Sequence, residues 1–301
     1  METKNLVSII MNCHNGETFL REAIKSVLNQ SYKKWELIFW DNNSTDKSAQ
    51  IFKSFKDKRL KYFFRKRKVS LYESRNSAIK KAKGEFIAFL DADDLWCSNK
   101  LFLQKKKIKD PKVGLVYGKY LKINEYSLLR RKQLITKKQL PEGYITNNLL
   151  KFYSVGLLTI MLRKKFLSRS KIFKTEYNYL GDLDFVLRFS LKYKFAAVQK
   201  VVGIYRQHEN QMQRKYYKTK SDQFSKWFKE ISKKRILGKN SNLGVLEEWE
   251  RFFSNLTKVK NRRSFSLLLK ILRYPNNLNK IKLLIVFFTP EFMSKKIIGE
   301  T

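Results

Sequence analysis

The sequence predicts an α/β protein built on a mostly parallel but mixed, Rossmann-like sheet flanked by helices. Strand-length apolar runs at Leu6–Met11, Trp35–Trp40 and Glu85–Leu90 alternate with segments of helical spacing. These runs lack the in-out alternation of a half-solvated strand, so they read as strands covered on both faces. Each ends at polar or acidic residues: Asn12–Gly16, Asp41–Asp46 and Asp91–Asp94. Ligands of open α/β sheets bind beyond the carboxyl ends of the strands, where these residues fall.

Leu6–Met11 is the first expected strand, and Asn12–Gly16 the loop after it. From Glu17 to Leu28, Phe19, Leu20, Ala23, Ile24, Val27 and Leu28 recur at helical spacing. Trp35–Trp40 is the second strand; Ser44 is the expected N-cap of a helix running through Phe55. Leu60–Phe64, a helix over Tyr72–Ala82 and Glu85–Leu90 complete a β-α-β-α-β-α-β series. A helix is expected over Asn99–Ile108 and a strand over Val113–Tyr117. Residues 118–150 are weakly patterned and read as a loop region with short strands. A strand over Leu157–Leu162, a helix over Gly181–Tyr193 and a strand over Ala196–Tyr205 follow. From about 214 the pattern is helical and basic, carrying Phe224, Trp227, Phe228, Ile231, Trp249, Phe252, Phe253 and Leu256. The expected organisation is a domain over 1–213, its halves meeting near 117, and a helical extension over 214–301.

The 301 residues carry a formal net charge of +39. Nucleic acid, an anionic membrane surface and a lysine-rich composition are the three explanations. Residues 215–301 hold 20 Lys and Arg against 7 Asp and Glu. The excess is thus spread along the chain, which favours composition bias and a generally cationic surface. Cys13 and Cys97 are the two cysteines and form no metal or disulfide framework, as expected of a reducing compartment. No secretory signal is evident, and no apolar run approaches the ~20 residues of a membrane span, so a soluble or peripheral cytoplasmic protein is expected.

Asp91, Asp93 and Asp94 end the fourth strand. If the chain stays extended, Asp91 and Asp93 point the same way, and a cation between them lets both stay ionised. Oxygen ligands alone suit Mg²⁺ or Mn²⁺, completed by phosphate oxygens and water. The plainer reading is a polar loop in which Asp94 or Ser98 caps the next helix.

Four stretches together resemble the inverting family 2 glycosyltransferases of the GT-A fold: residues 7–48, residues 75–96 with their Asp-x-Asp, Leu180–Phe189, and Tyr205–Gln211 with its Tyr-Arg-x-His. The resemblance covers residues 5 to about 210. It implies a metal-dependent enzyme that moves a sugar from a nucleoside-diphosphate sugar, most often a UDP-sugar, to a saccharide or lipid-linked acceptor in surface polysaccharide synthesis. Asn12, His14, Asn15, Glu17, Asp41 and Asn42 would lie against the base and ribose. Many members carry two aspartates where this chain has Asp41-Asn42. Arg75 would approach the diphosphate, Asp91 and Ala92 the donor, and Asp91, Asp93 and His208 the metal. Asp182 would be the general base; Gly181 stands where the family usually has Glu. A peripheral place at an anionic membrane, on its cytoplasmic side, fits such acceptors. The alternatives are a cationic nucleic-acid-binding protein, which leaves the Asp91 and Asp93 cluster unexplained, and an inactive glycosyltransferase-like chain. An aspartate-nucleophile phosphatase is a poor match, since its motif lies near the chain start and has Thr or Val where Leu95 stands.

Overall fold

Strands β1 (Val7–Cys13) and β2 (Trp35–Asp41) are buried at every position, as their unbroken apolar runs predict. The computed structural model describes residues 3–125, 132–135, 138–167, 172–208 and 217–233, with residues 244, 247, 251 and 271 singly. The chain divides into two compact units, Met1–Gln207 and His208–Thr301.

In the first unit, helix α1 (Glu17–Leu28) buries Leu20, Ala23, Ile24 and Val27. This single stripe packs with Val7, Ile9, Met11 and Cys13, one face of β1. Helix α2 (Ser48–Lys53) is short. Its N-cap is Lys47, not Ser44, because the Ser44 hydroxyl accepts the Asn15 N–H instead. Strand β3 (Leu60–Phe64) lies at the sheet edge. Helix α3 (Leu71–Lys81) begins at Ser70, whose hydroxyl accepts the Glu73 N–H. It packs on the other face of β1 and β2. Strand β4 (Phe86–Phe89) completes the parallel half in the order β3-β2-β1-β4.

The second half of the sheet supplies the antiparallel pairings of the expected mixed sheet. Strand β5 (Leu95–Trp96) leads into helix α4 (Lys100–Lys107). The N-cap of α4 is Asn99, without a side-chain cap bond, so neither Asp94 nor Ser98 caps it. Strand β6 runs Val113–Asn124, into the region expected to be loop, and β7 (Lys132–Leu134) pairs with its end. Helix α5 (Thr146–Lys151) follows. Residues 157–162 are not one strand: Leu157–Thr159 is a 3-10 turn, and β8 is Met161–Arg163. Helix α6 (Gly181–Ser190) precedes the long β9 (Lys194–Gln207). The full order is β3-β2-β1-β4-β8-β6-β9-β5. β8 is antiparallel to β4 and β6, β9 is parallel to β6, and β5 is antiparallel to β9.

A buried polar clasp fixes the 3-10 turn. Trp96 Nε1–H donates to the Leu158 carbonyl at 2.8 Å, and Gln104 Nε2–H to Thr159 and Val116 at 2.6 and 3.1 Å. Lys100 Nζ–H donates to Gln104 Oε1 at 2.6 Å. With no carboxylate beside it, burial pushes the Lys100 ammonium well down from its ordinary pKa.

In the second unit, helix α7 (Tyr217–Lys233) buries Phe224, Trp227 and Ile231, spaced to share one face. Trp249, Phe252, Phe253 and Leu256 lie outside the described residues. Among the described residues no helix is long and apolar enough to cross a membrane.

Candidate active site

The loops after β1 and β2 are locked to one another. Asn15, at φ 55°, accepts the Thr45 N–H through Oδ1 at 2.8 Å, and its own N–H reaches Ser44 Oγ at 3.1 Å. Asn tolerates this left-handed conformation better than a branched residue. Glu17 accepts the Lys47 N–H at 3.0 Å. Asp41 is fully buried; it accepts Ser44 N–H at 2.8 Å and the Tyr62 hydroxyl at 2.7 Å. His14 Nδ1 lies 3.1 Å from the Asn42 carbonyl oxygen, and Lys68 Nζ lies 2.7 Å from His14 Nε2.

Asn42 carries the amide where the family often has a carboxylate. Its Nδ2–H donates to the Val69 carbonyl at 2.9 Å, and its Oδ1 accepts the Val69 N–H at 3.1 Å. A carboxylate ionised at neutral pH has no proton for the first bond. The amide therefore fixes the approach to α3, a role the sequence pattern does not disclose.

Asn12 differs from its neighbours. Met11 and Cys13 belong to the α1-side core, so alternation puts Asn12 on the α3 face of β1. It is 8% exposed, and among the described residues neither amide atom has a hydrogen-bond partner. A buried amide without partners is costly unless a ligand or water satisfies it. The register sets it beside Trp40, whose indole N–H is likewise unpartnered.

The acidic cluster is a turn rather than an extended strand end. β4 stops at Phe89, and the Asp94 N–H donates to the Asp91 carbonyl at 3.1 Å. Asp91 pairs with Arg75 of α3 at 2.5 Å; the Arg75 side chain is 5% exposed and the Asp91 side chain 37%. Burial raises the Asp91 pKa; Arg75 opposes this, while Asp93 and Asp182 add to it. Asp93 is partly exposed, Ala92 buried. Asp94 faces inward, and its Oδ1 accepts the Arg206 N–H at 2.9 Å. Arg206 then reaches Glu22 of α1 at 2.7 Å and Glu125 at 3.4 Å. The third aspartate thus ties the turn to α1 and β9, a contact across 112 residues.

Helix α6 separates its two aspartates as its geometry requires. Neighbours two apart diverge by about 200° around a helix. Asp184 is 1% exposed and accepts from Arg188 Nε–H at 2.8 Å, with Lys174 at 3.7 Å. Asp182 is partly exposed. Its Oδ1 accepts the Leu183 N–H at 2.9 Å and the Tyr72 hydroxyl at 3.2 Å. Asp182 also acts electrostatically on Asp91, Arg75, Tyr120 and Tyr153. Burial pushes the Tyr120 phenol up to about 12 and raises the Tyr153 phenol well above its ordinary value, with Asp182 adding to both. The fold therefore brings Arg75, Asp91 and Asp182 to one place and sets three tyrosines around Asp182. His208 opens the second unit, and its expected metal role rests on the resemblance alone.

The donor set fits a hard divalent cation only with outside help. Among the described residues no group of three or more His, Cys, Asp and Glu side chains is gathered. Asp91 and Asp93 offer two carboxylates, so phosphate oxygens and water would fill the remaining positions, the usual Mg²⁺ arrangement.

Known proteins share both sequence and fold. Residues 8–169 match the model of Glycosyl transferase family 2. Over 163 residues the chain is 37% identical to the UDP-Glc:alpha-D-GlcNAc-diphosphoundecaprenol beta-1,3-glucosyltransferase WfgD of Escherichia coli. That match covers 54% of this chain and 62% of the relative, so somewhat less than two thirds of WfgD is spanned. The crystal structure of S. aureus TarS 1-349 in complex with UDP-GlcNAc superposes with a TM-score of 0.63 at 19% identity, covering 97% of this chain and 83% of the TarS 1-349 chain. The mannosyltransferase PcManGT from Pyrobaculum calidifontis, in complex with GDP-Man and Mn²⁺, gives 0.61 at 16% identity, covering 97% and 85%. With the family match over more than half its length and the mixed sheet common to these structures, the chain belongs to glycosyl transferase family 2 and has the GT-A fold.

Proposed function

We propose that the protein transfers a sugar, with inversion, from a UDP-sugar to a hydroxyl of a lipid-linked saccharide during cell-surface polysaccharide synthesis. The observation that carries this reading is the convergence of Asp182 on the Arg75–Asp91 pair: Tyr72 donates to Asp182 at 3.2 Å, and the Arg75 guanidinium, paired with Asp91, lies 5.4 Å from the Tyr72 ring centroid. A carboxylate from the second half of the fold there faces the acidic turn of the first. Transfer from a nucleotide sugar needs both: charge stabilisation at the departing diphosphate and a base at the attacking hydroxyl. WfgD, by its name, takes UDP-Glc and a diphosphoundecaprenol-linked GlcNAc, and TarS was crystallised with UDP-GlcNAc; both favour a UDP-sugar donor.

Asn12, with two unsatisfied buried amide atoms, would meet polar groups of the donor. His14, Asn15, Glu17, Asp41 and Asn42 would hold the base and ribose through their interlocked loops. Arg75 orients Asp91 and places positive charge near the diphosphate, with Ala92 beside the donor. A Mg²⁺ or Mn²⁺ ion held by Asp91 and Asp93 would offset the charge developing on the leaving group. Asp182 takes the acceptor proton on the opposite face of the sugar, and one displacement inverts the anomeric centre. The proposed catalytic domain runs over 1–213 and the basic extension over 214–301, while the compact units divide at Gln207/His208.

A nucleotide-sugar screen tests the reading. UDP-glucose, UDP-N-acetylglucosamine and GDP-mannose are offered with Mn²⁺ and a GlcNAc-diphospholipid acceptor, and released nucleoside diphosphate is measured. Acceptor-dependent release from a UDP-sugar is expected. Release from GDP-mannose alone would overturn the UDP assignment, and acceptor-independent release alone would overturn the acceptor class.

The charge of +39 and an acceptor embedded in a membrane predict peripheral binding at an anionic cytoplasmic leaflet. Basic residues contribute about 1 kcal/mol each near such a surface, and salt screens them. Co-sedimentation with phosphatidylglycerol vesicles is expected to exceed that with phosphatidylcholine and to fall with added salt. Equal binding to both vesicle types would refute it.

A further inference from the structure

We propose that Tyr72 is a positioning residue for Asp182: its hydroxyl holds one carboxylate oxygen so that the other meets the acceptor hydroxyl. The inference rests on the reading of Asp182 as the general base.

The geometry is reciprocal. Tyr72 Oη–H donates to Asp182 Oδ1 at 3.2 Å, and the Asp182 backbone N–H donates back to Tyr72 Oη at 3.3 Å. Leu183 N–H makes a second bond to the same Oδ1 at 2.9 Å. Two donors on Oδ1 fix the carboxylate plane and leave the base function to Oδ2. The same contacts repair the start of α6, where Leu180 provides no side-chain cap and the first N–H groups need acceptors. Tyr72 supplies that acceptor from α3, 110 residues earlier in the chain.

Gly181 makes the arrangement possible. A Cβ on residue 181 would lie 2.6 Å from Tyr72 Cε2 and 2.7 Å from Cδ2 and Cζ, inside van der Waals contact. The tyrosine ring occupies the space that any side chain at 181 would need. It is 3% exposed, stacks on Phe173 with centroids 5.4 Å apart, and has the Arg75 guanidinium 5.4 Å from its centroid. The ring therefore has little room to move, and its hydroxyl position is set by packing. Burial, with the charge of Asp182 adding, raises the Tyr72 pKa well above its ordinary value, so the phenol stays protonated and able to donate. Tyr72 thus links the helix that carries Arg75 to the helix that carries the base.

Tyr72→Phe tests this, because it keeps the ring and removes only the hydroxyl. Activity is read as UDP release from UDP-glucose or UDP-N-acetylglucosamine with the GlcNAc-diphospholipid acceptor, and UDP affinity is measured separately with Mn²⁺. The expected result is a kcat lower by roughly 10- to 100-fold, the scale of loss from a misplaced catalytic group. Donor KM, UDP affinity and melting temperature are expected to stay close to the parent. The double variant Tyr72→Phe/Asp182→Asn is expected to lose no more than Asp182→Asn alone, the signature of one residue acting through another. Tyr72→Phe within twofold of the parent in kcat would overturn the inference. So would a loss matched in UDP affinity or melting temperature, which would make the residue one of packing. Additive losses in the double variant would overturn it as well. Full activity of Asp182→Asn would sink the base reading itself, whereas an inactive Asp182→Asn beside a fully active Tyr72→Phe would sink only the positioning role.

Discussion

Asp182→Asn is expected to fold, to bind UDP with Mn²⁺ as the parent does, and to transfer sugar at least ~10²- to 10⁴-fold more slowly, the range associated with a general base. The amide is nearly isosteric, and Oδ1 can still accept from Leu183 and Tyr72, so the start of α6 survives. What disappears is the basic lone pair that removes the acceptor proton. Asp184→Asn makes the contrasting control. Asp184 is buried in an ion pair with Arg188 and does not share the face of Asp182. Its replacement removes a charge-assisted contact and is expected to lower stability by about 1–3 kcal/mol while the folded fraction keeps its turnover. Steady-state kinetics and thermal melts on both variants check this. A silent Asp182→Asn together with an inactive, folded Asp184→Asn would transfer the base assignment to Asp184.

Chelation is expected to stop transfer, and added Mn²⁺ or Mg²⁺ to restore it. Asp93→Ala is expected to lose several orders of magnitude even with metal present. Asp91 alone is already committed to Arg75 at 2.5 Å, so it cannot replace both carboxylates. Without a cation, the diphosphate would meet the repulsion of Asp91 and Asp93, which the Arg75 pair offsets only in part. Activity of the parent and of Asp93→Ala, each assayed in EDTA and after dialysis into Mn²⁺, decides the point. Undiminished Asp93→Ala turnover in EDTA would remove the metal from the proposal.

The first half of the fold is legible in the sequence for a physical reason. β1 and β2 are covered on both faces, so their residues are apolar without interruption, and α1 carries one buried stripe. β6 is legible only as far as Tyr117. From Lys119 to Asn124 it is partly exposed and mixed in polarity, and its pairings come from the short β7 and the distant β9. The reversed β8 is three residues long and carries no period of its own. Side-chain roles set by remote backbone were equally hidden: Asp94 answers Arg206, Asn42 answers Val69, and Ser44 answers Asn15 rather than capping α2. Tyr72 reads as a core residue of an amphipathic helix. The one local sign of its role is Gly181, a vacancy where the family usually has a long side chain.

The sheet order also sets a timetable for assembly. β3, β2, β1 and β4 all come from residues before 90 and can pair as soon as that stretch is made. β5 cannot: among the described residues its strand partner is β9, through Leu95–Ile204 and Trp96–Gly203, more than 100 residues later. Asp94 waits on the same strand for the Arg206 N–H. Non-local pairing of this kind closes slowly because the intervening loop must be ordered first. During refolding, pulsed hydrogen exchange is expected to protect amides of β1, β2 and β4 before those of β5 and β9. A nascent chain would then hold a half-sheet with its acidic turn still unformed, and would be unable to grip a nucleotide sugar until the final strand of the first unit had emerged.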